Sequence, residues 1–586
     1  MTFPTRKDLI PETLSPGAEL LARGKALAGN TSFKPSRFLR EAEVPSEVVY
    51  KTATTGRIMQ HAHIGFRSLD RTLEAMAQVH GRCRDLGVTV DRFGITLDWS
   101  MGYPQAMRAD APRGTGIVLT DPGDFRRITE AVPAATHFGD FMLGLPGALE
   151  NTRAALEAGA TALGNLGQYF TFRLPGWDDD VATTEATVTA LGLIAAQKEE
   201  FDADILVHSN LDDGFAGLFL DMCCSLGMVL VEKHIVEDLI GARLSHCYGH
   251  HFSDPLSRMA FHAALVQVTD TPGTMIFGNT VSYQSTEAGN YASLANYLLA
   301  DIAAQRRWPS GHAINPVPVT ENQRIPDVQE IIDAQTFAHR LADHAPAYEA
   351  LIDWSQIEVM ADRMVAGGRV FAANVLAGLG EIGIDIQDPA EMLLAIRRMG
   401  PKRLEAAFGP GPTTDDRRAP MILAEWAREL DEKAAEWVAI HADDAKRISP
   451  RGLTACVGTS DVHEHGKYLV EQSLAGLGVQ IVDGGVSVDP DILVDRAVTG
   501  GADLIAVSTY NGVARSYTEK VLASVAARGL RLPVIVGGRL NEVPKETNSD
   551  LPVDVTRELR ELGAIPCNGL DDVVAVLSGL SEKTEG

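Results

Sequence analysis

LTACVGTSDVHEHG, residues 453–466, opens the part of the chain whose fold is easiest to read. An apolar run stops abruptly at small and polar residues, the pattern of a buried strand ending in a loop. Downstream the runs VQIVD (479–483), DLIAVS (503–508) and LPVIVGG (532–538) repeat it. Between and after them lie helical patterns near 465–477, 489–500, 515–529 and 551–562. Near-continuous apolar strands alternating with helices predict a parallel sheet covered on both faces, a flavodoxin-like, doubly wound domain. Such sheets bind ligands at the carboxyl ends of their strands. Three loops fall there: Ser460-Asp461-Val462-His463-Glu464-His465-Gly466, Ser508-Thr509-Tyr510-Asn511-Gly512, and Gly537-Gly538. A carboxylate two residues before an imidazole can accept the far N–H of a metal-ligating histidine and fix its tautomer. Gly466 lets the backbone pass close to something bulky. His465 reads as a surface helix residue.

Upstream, residues 327–447 turn helical, with DVQEIIDAQTFAHRLADHA, IEVMADRMVAGGRVFAANVLAGL and MILAEWARELDEKAAEWVAIHADDA broken by the Gly/Pro loop 406–420. Ser449-Pro450-Arg451-Gly452 punctuates the junction with the last domain. Further upstream, short β-rich runs alternate with amphipathic stretches such as LENTRAALEAG and TEATVTALGLIAAQKEEF. The candidate strands are 92–97, 116–119, 141–145, 205–209, 244–248 and 275–279, and His61 and His63 stand at period two in a further one. A large open sheet fits this pattern, but a (β/α)8 TIM-like barrel is the expectation. The domains expected are an N-terminal extension (1–54), a barrel catalytic domain (55–326), a helical extension and linker (327–447) and the last, Rossmann-like domain (448–586).

Composition excludes several classes. A net charge of -26 opposes non-specific binding to nucleic acid or anionic membrane. No apolar run reaches the length of a membrane span, and MTFPTRKDLIPETL lacks the apolar core of a secretory signal. Six cysteines without a CxxC pair indicate neither a zinc site nor a disulfide framework. Buried thiols in a cytoplasmic protein are the expectation. His250 and His251 look like a metal pair, but adjacent strand residues point oppositely, so no metal is expected there.

Asp461-x-His463-x-x-Gly466 followed by Ser508 and Gly537-Gly538 resembles the cobalamin (vitamin B12)-binding fold shared by several mutases and corrinoid methyltransferases. The resemblance implies that His463 ligates the cobalt, with Asp461 as its hydrogen-bonding partner. Ser460, Gly466, Ser508, Gly537 and Gly538 would line the groove for the cofactor's nucleotide tail. Tyr510 would form a wall of that groove and departs from the pattern, which has Leu there. The front region is similar to the barrel subunit of the adenosylcobalamin-dependent glutamate mutase family, here fused to the cobalamin subunit as in 2-methyleneglutarate mutase. The likeness rests on Thr96-Leu97-Asp98, AGATALGNLGQYF (158–170), LSHCYGHHFSDP (244–255), ENQRIP (321–326) and AAFGPGP (406–412).

That resemblance implies a carbon-skeleton mutase using adenosylcobalamin, whose cobalt–carbon homolysis starts a radical rearrangement. Asp98, Asn165, Glu321 and His63 are the implied catalytic residues, with Glu321 holding the ribose, and His61 and Arg173 are further substrate-pocket candidates. His61 and His63 can equally be core residues, and Arg173 can pair with Asp178–Asp180 on the surface. The family's three substrate arginines fall near His63, Gly102 and Leu145, a ribose-side lysine is replaced by Val317, and the family's glutamate falls near Asn165. None of these supplies a guanidinium fork, so a small acid other than glutamate is the expected substrate. Expected partners are that small molecule, a second copy of the chain or a higher homo-oligomer, and a cofactor-repair GTPase, with neither nucleic acid nor membrane. The rival readings are a corrinoid methyltransferase, which would place a four-helix cap before the cobalamin domain, and a non-catalytic cobalamin carrier or sensor.

Overall fold

In a computed structural model, which describes residues 4–111, 113–114, 116–252, 254–283, 286–414, 417–460, 464–510, 512–542 and 553–580, eight parallel strands close into a barrel. They are β1 (Met59–Ile64), β2 (Arg92–Ile95), β3 (Ala135–Phe138), β4 (Ala162–Leu163), β5 (Leu206–Asn210), β6 (Arg243–Tyr248), β7 (Met275–Ile276) and β8 (Ala313–Ile314). Each pairs with its sequence neighbour, and β8 returns to β1 through Met59↔Ala313. The barrel expectation is met; two strand expectations are not. Residues 116–119 contribute only an isolated bridge, Leu97↔Ile117, and 141–145 form the turn after β3. The real strand there, ATHF, was hidden by its polar inward residue His137, while the apolar FMLGL that follows packs as a turn.

The barrel interior explains that pattern. His61, His137 and His208, from alternate strands, form one layer, with ring centroids 5.7 Å apart for His61–His137 and 4.2 Å for His137–His208. Alternate strands filling a layer is how such barrels pack. Gly94 on β2 leaves the room: a Cβ there would stand 2.4 Å from His61 Nε2. At the amino end the core is ionic. The helix Glu47–Ala53, capped by Ser46, carries Glu47 and Lys51 one turn apart into the barrel. Glu47 lies 2.5 Å from Arg92 Nε, and Lys51 Nζ donates to the carbonyls of Gly273 (2.5 Å) and Gly311 (2.6 Å). Burial alone would raise the Glu47 pKa, but the charges of Arg92 and Lys51 win and lower it. Burial, with Arg92, pulls Lys51 down to about 7.

The chain divides into two compact units, 1–170 with 178–425, and 171–177 with 426–586. The first holds the barrel and the helices Val328–Tyr348, Trp354–Glu381, Pro389–Met399 and Pro401–Phe408. The second is built on a parallel sheet of β9 (Thr454–Thr459), β10 (Gln480–Gly485), β11 (Leu504–Thr509), β12 (Val534–Gly538) and β13 (Ile565–Pro566). Its order is β10-β9-β11-β12-β13, the flavodoxin-like arrangement. Leu493, Val494, Val521 and Val525 fill one core of this unit; Leu474, Leu477, Val574 and Leu577 fill the other. The helices Glu425–Ile440 and Ala442–Ile448 were grouped with the helical extension by sequence pattern. Their Trp437, Ala445 and Ile448 pack instead on the second of these cores. All six cysteines are buried and free, and no helix among the described residues is long and apolar enough to cross a membrane.

Candidate functional site

The carboxyl edge of the second sheet gathers the small residues. Register sets Thr459, Ser508 and Gly537 side by side on β9, β11 and β12, with Thr509 opposite Gly538. Ser460, just past β9, donates its N–H to Ser508 O at 3.0 Å. At Gly466 a Cβ would stand 2.6 Å from Ser508 Oγ, so a side chain there would turn the Ser508 hydroxyl out of its present position. Gly538 has φ +94° and passes 2.3 Å, measured from an added Cβ, from Thr509 O. Tyr510 is partly exposed, and the Arg539 guanidinium lies over its ring at 4.2 Å. Asp461 and His463 lie outside the described residues. His465, read as a surface residue, is half-buried and stacked on Trp426.

A second polar constellation occupies the carboxyl end of the barrel. Asn165, buried after β4, donates from Nδ2 to Asp213 Oδ2 (2.8 Å) and Asp140 Oδ1 (3.3 Å), and its Oδ1 accepts from Asn210 N (2.9 Å). Gln168 Nε2 also donates to Asp140 Oδ1 at 3.3 Å. Asp212 accepts from the backbone N–H of His250 (2.8 Å) and His251 (3.1 Å), and His251 Nδ1 lies 3.2 Å from it. Burial raises the Asp140 pKa. Asp213 is pushed well above the carboxylate range by burial and by the neighbouring charges of Asp140 and Asp212. Asp212 goes the other way: burial would raise it, but its bond to His251 and the histidine charges lower it. Burial and the neighbouring carboxylates thus favour the protonated form of Asp213, while the bond to His251 favours the ionised form of Asp212.

The sequence candidates scatter around this mouth. His63 faces Asn315 Nδ2 at 3.3 Å, and burial lowers its pKa to about 4. His61 lies deeper, 3.4 Å from Arg92, as a member of the core layer. Both carboxylate oxygens of Asp98 hold its own loop, accepting from Ser100 N (2.9 Å) and Gly114 N (2.8 Å). Glu321 is exposed in the loop after β8. Arg173 is exposed, and Asp180 pairs with Arg398 at 2.7 Å. His250 and His251 stand beyond the end of β6, in a loop. Among the described residues no group of three His, Cys, Asp or Glu is arranged to hold a metal ion. The carboxylates at 140, 212 and 213 escaped the sequence reading, although HSNLDDG, a strand end and the loop after it with five polar residues among seven, was a usable signal.

The family described as B12 binding domain matches residues 450–558. The second unit carries a B12-binding domain. No curated protein matches the chain. Among solved structures, a novel cobalamin-binding protein from Desulfitobacterium hafniense DCB-2 is similar at 22% identity, with a TM-score of 0.18, over 21% of this chain. The match spans 56% of that protein's own length. The edge of the B12-binding domain fits a bulky cofactor in its small residues: Gly466 lies against Ser508, which pairs in register with Gly537 beside Gly538.

Proposed function

We propose that the chain is an adenosylcobalamin-dependent carbon-skeleton mutase, a radical isomerase of the glutamate-mutase type acting on a small acid other than glutamate. The observation that carries the reading is one chain joining a B12-binding domain to a closed barrel whose carboxyl end gathers Asp140, Asn165, Asp212 and Asp213. Active sites of such barrels sit at that end. In this reading His463 ligates the cobalt with Asp461 as its hydrogen-bonding partner, and Ser460, Gly466, Ser508, Gly537 and Gly538 receive the nucleotide tail. When bound, adenosylcobalamin supplies the radical chemistry.

The chain's own residues do the rest. The barrel wall excludes water from the reacting centre, which strengthens every charge inside it. The Asn165 amide holds two carboxyl groups, and Asp213, whose protonated form is favoured by burial and by Asp140 and Asp212, is placed to donate a hydrogen bond to a substrate oxygen. His63, neutral at physiological pH, offers a second uncharged polar contact. The absence of a guanidinium at His63, Gly102 and Leu145 supports a substrate with fewer carboxylates than glutamate.

The two helices Glu425–Ile440 and Ala442–Ile448 stand where a corrinoid methyltransferase would need a four-helix cap, which favours the mutase reading over that rival. The test is anaerobic incubation of the protein and adenosylcobalamin with metabolite pools, followed by electron paramagnetic resonance. A cobalt(II)-coupled organic radical is expected with one pool fraction. Transfer of a labelled methyl group from methylcobalamin, without any such radical, would overturn the proposal.

A further inference from the structure

Residues 461–463 run between two described anchors, Ser460 at the end of β9 and Glu464 at the start of the helix Glu464–Gly476. The second anchor is gripped from two elements. Lys467, with no exposed side-chain surface, donates to Glu471 Oε1 (2.6 Å), and its Nζ lies 2.8 Å from Asp483 Oδ1 on β10 and 4.0 Å from Glu464 Oε1. From the helix Glu425–Ile440, Trp426 stacks on His465 (centroids 4.6 Å, planes 20° apart) and meets Tyr468 edge-on at 5.3 Å. Tyr468 also donates its O–H to Asp431 Oδ1 at 2.8 Å.

Pinning a helix to a sheet does not require a buried ammonium, since an apolar side chain of similar volume often does it as well or better. A buried charge ringed by carboxylates instead fixes one position of the helix start. Trp426 and Asp431 lie before the matched span 450–558, so the grip reaches outside the domain as the family defines it.

We infer that Trp426, Lys467 and Asp483 are positioning residues for the cobalamin-binding loop, and that the helix Glu425–Ile440 belongs to the binding machinery. The inference rests on the reading of His463 as the cobalt ligand. A ligating imidazole must be held to roughly 0.5 Å, and outer partners that orient such ligands are worth about 10- to 100-fold in affinity.

The experiment titrates the full chain with adenosylcobalamin and records affinity, the absorbance spectrum of the bound cofactor and the melting temperature for wild type, Trp426→Leu, Lys467→Met and Asp483→Asn. The expected result is a Kd raised about 10- to 100-fold, with part of the bound cofactor losing the base-off, histidine-ligated spectrum. Asp483 has a half-exposed side chain, and binding by each variant is read well below its own melting transition, so a loss of stability does not masquerade as a loss of affinity. Should Lys467→Met fail to fold, Asp483→Asn and Trp426→Leu decide the matter. Wild-type affinity and spectrum in those two variants would overturn the inference. A wild type that binds cobalamin without histidine ligation would overturn the ligand reading itself, and this inference with it.

Discussion

Asp213 is the residue whose chemistry depends most on its neighbours. Its pKa is raised by burial and by Asp140 and Asp212, so the ionised form is penalised in the folded protein. The unfolded chain ionises near pH 4, about the ordinary carboxyl value, so this residue's own contribution to stability declines as pH rises from there toward the raised folded value. Asp213→Asn should therefore remove that contribution, so that the melting temperature of the variant relative to wild type rises from pH 4 toward neutrality. Differential scanning calorimetry across that range checks it, and an unchanged pH profile would remove the buried-proton assignment. The DVHEHG stretch could be read directly because its ligating residue types are adjacent in sequence. Asn165 was read through the family resemblance, whereas Asp140 and Asp213 were not, because only the convergence of three strand ends brings them to it.

Among elements, the short helix Glu47–Ala53 does more than its length promises, since it closes the amino end of the barrel with Glu47 and Lys51. Glu47→Gln would leave Arg92 buried, with 1% of its surface exposed, and without its carboxylate. Removing one member of a buried ion pair costs about 3–5 kcal/mol. That loss should appear in denaturant unfolding as a lower midpoint; a change below about 1 kcal/mol, typical of a surface pair, would contradict the assigned role. This helix fell in a segment read only as an N-terminal extension, because nothing local marks its charged residues as buried. Strand β4 and strand β8 were equally hard to see, each having two residues and therefore no periodicity. The strands of the second unit, being apolar and five or six residues long except for β13, were visible at once.

At the scale of the whole molecule, the barrel carries an unusual load of neutral imidazole. Burial first, then neighbouring positive groups, lowers His61, His137, His208 and His312 well below their ordinary value. Burial likewise brings His63 and His262 to about 4 and His246 to about 3. Below about pH 6.5 the unfolded chain takes up protons that the folded chain refuses, each group adding up to about 1.4 kcal/mol per pH unit. Raised carboxyls such as Asp140, Asp213 and Glu232 oppose this, but the imidazoles outnumber them. Stability should therefore fall as pH is lowered from about 7 to about 5. A melting temperature that rises on acidification would contradict the buried neutral core. The alternation of strands and helices made both units legible from sequence. The polar filling of the barrel was not, since polar residues on a strand ordinarily read as its solvent face.

Whether the second unit grips its cofactor through one imidazole can be read from a spectrophotometric titration of wild type and His463→Ala with adenosylcobalamin. Wild type should bind with the lower base displaced and histidine in its place; the variant should lose that spectrum. An identical spectrum in both proteins would contradict the account.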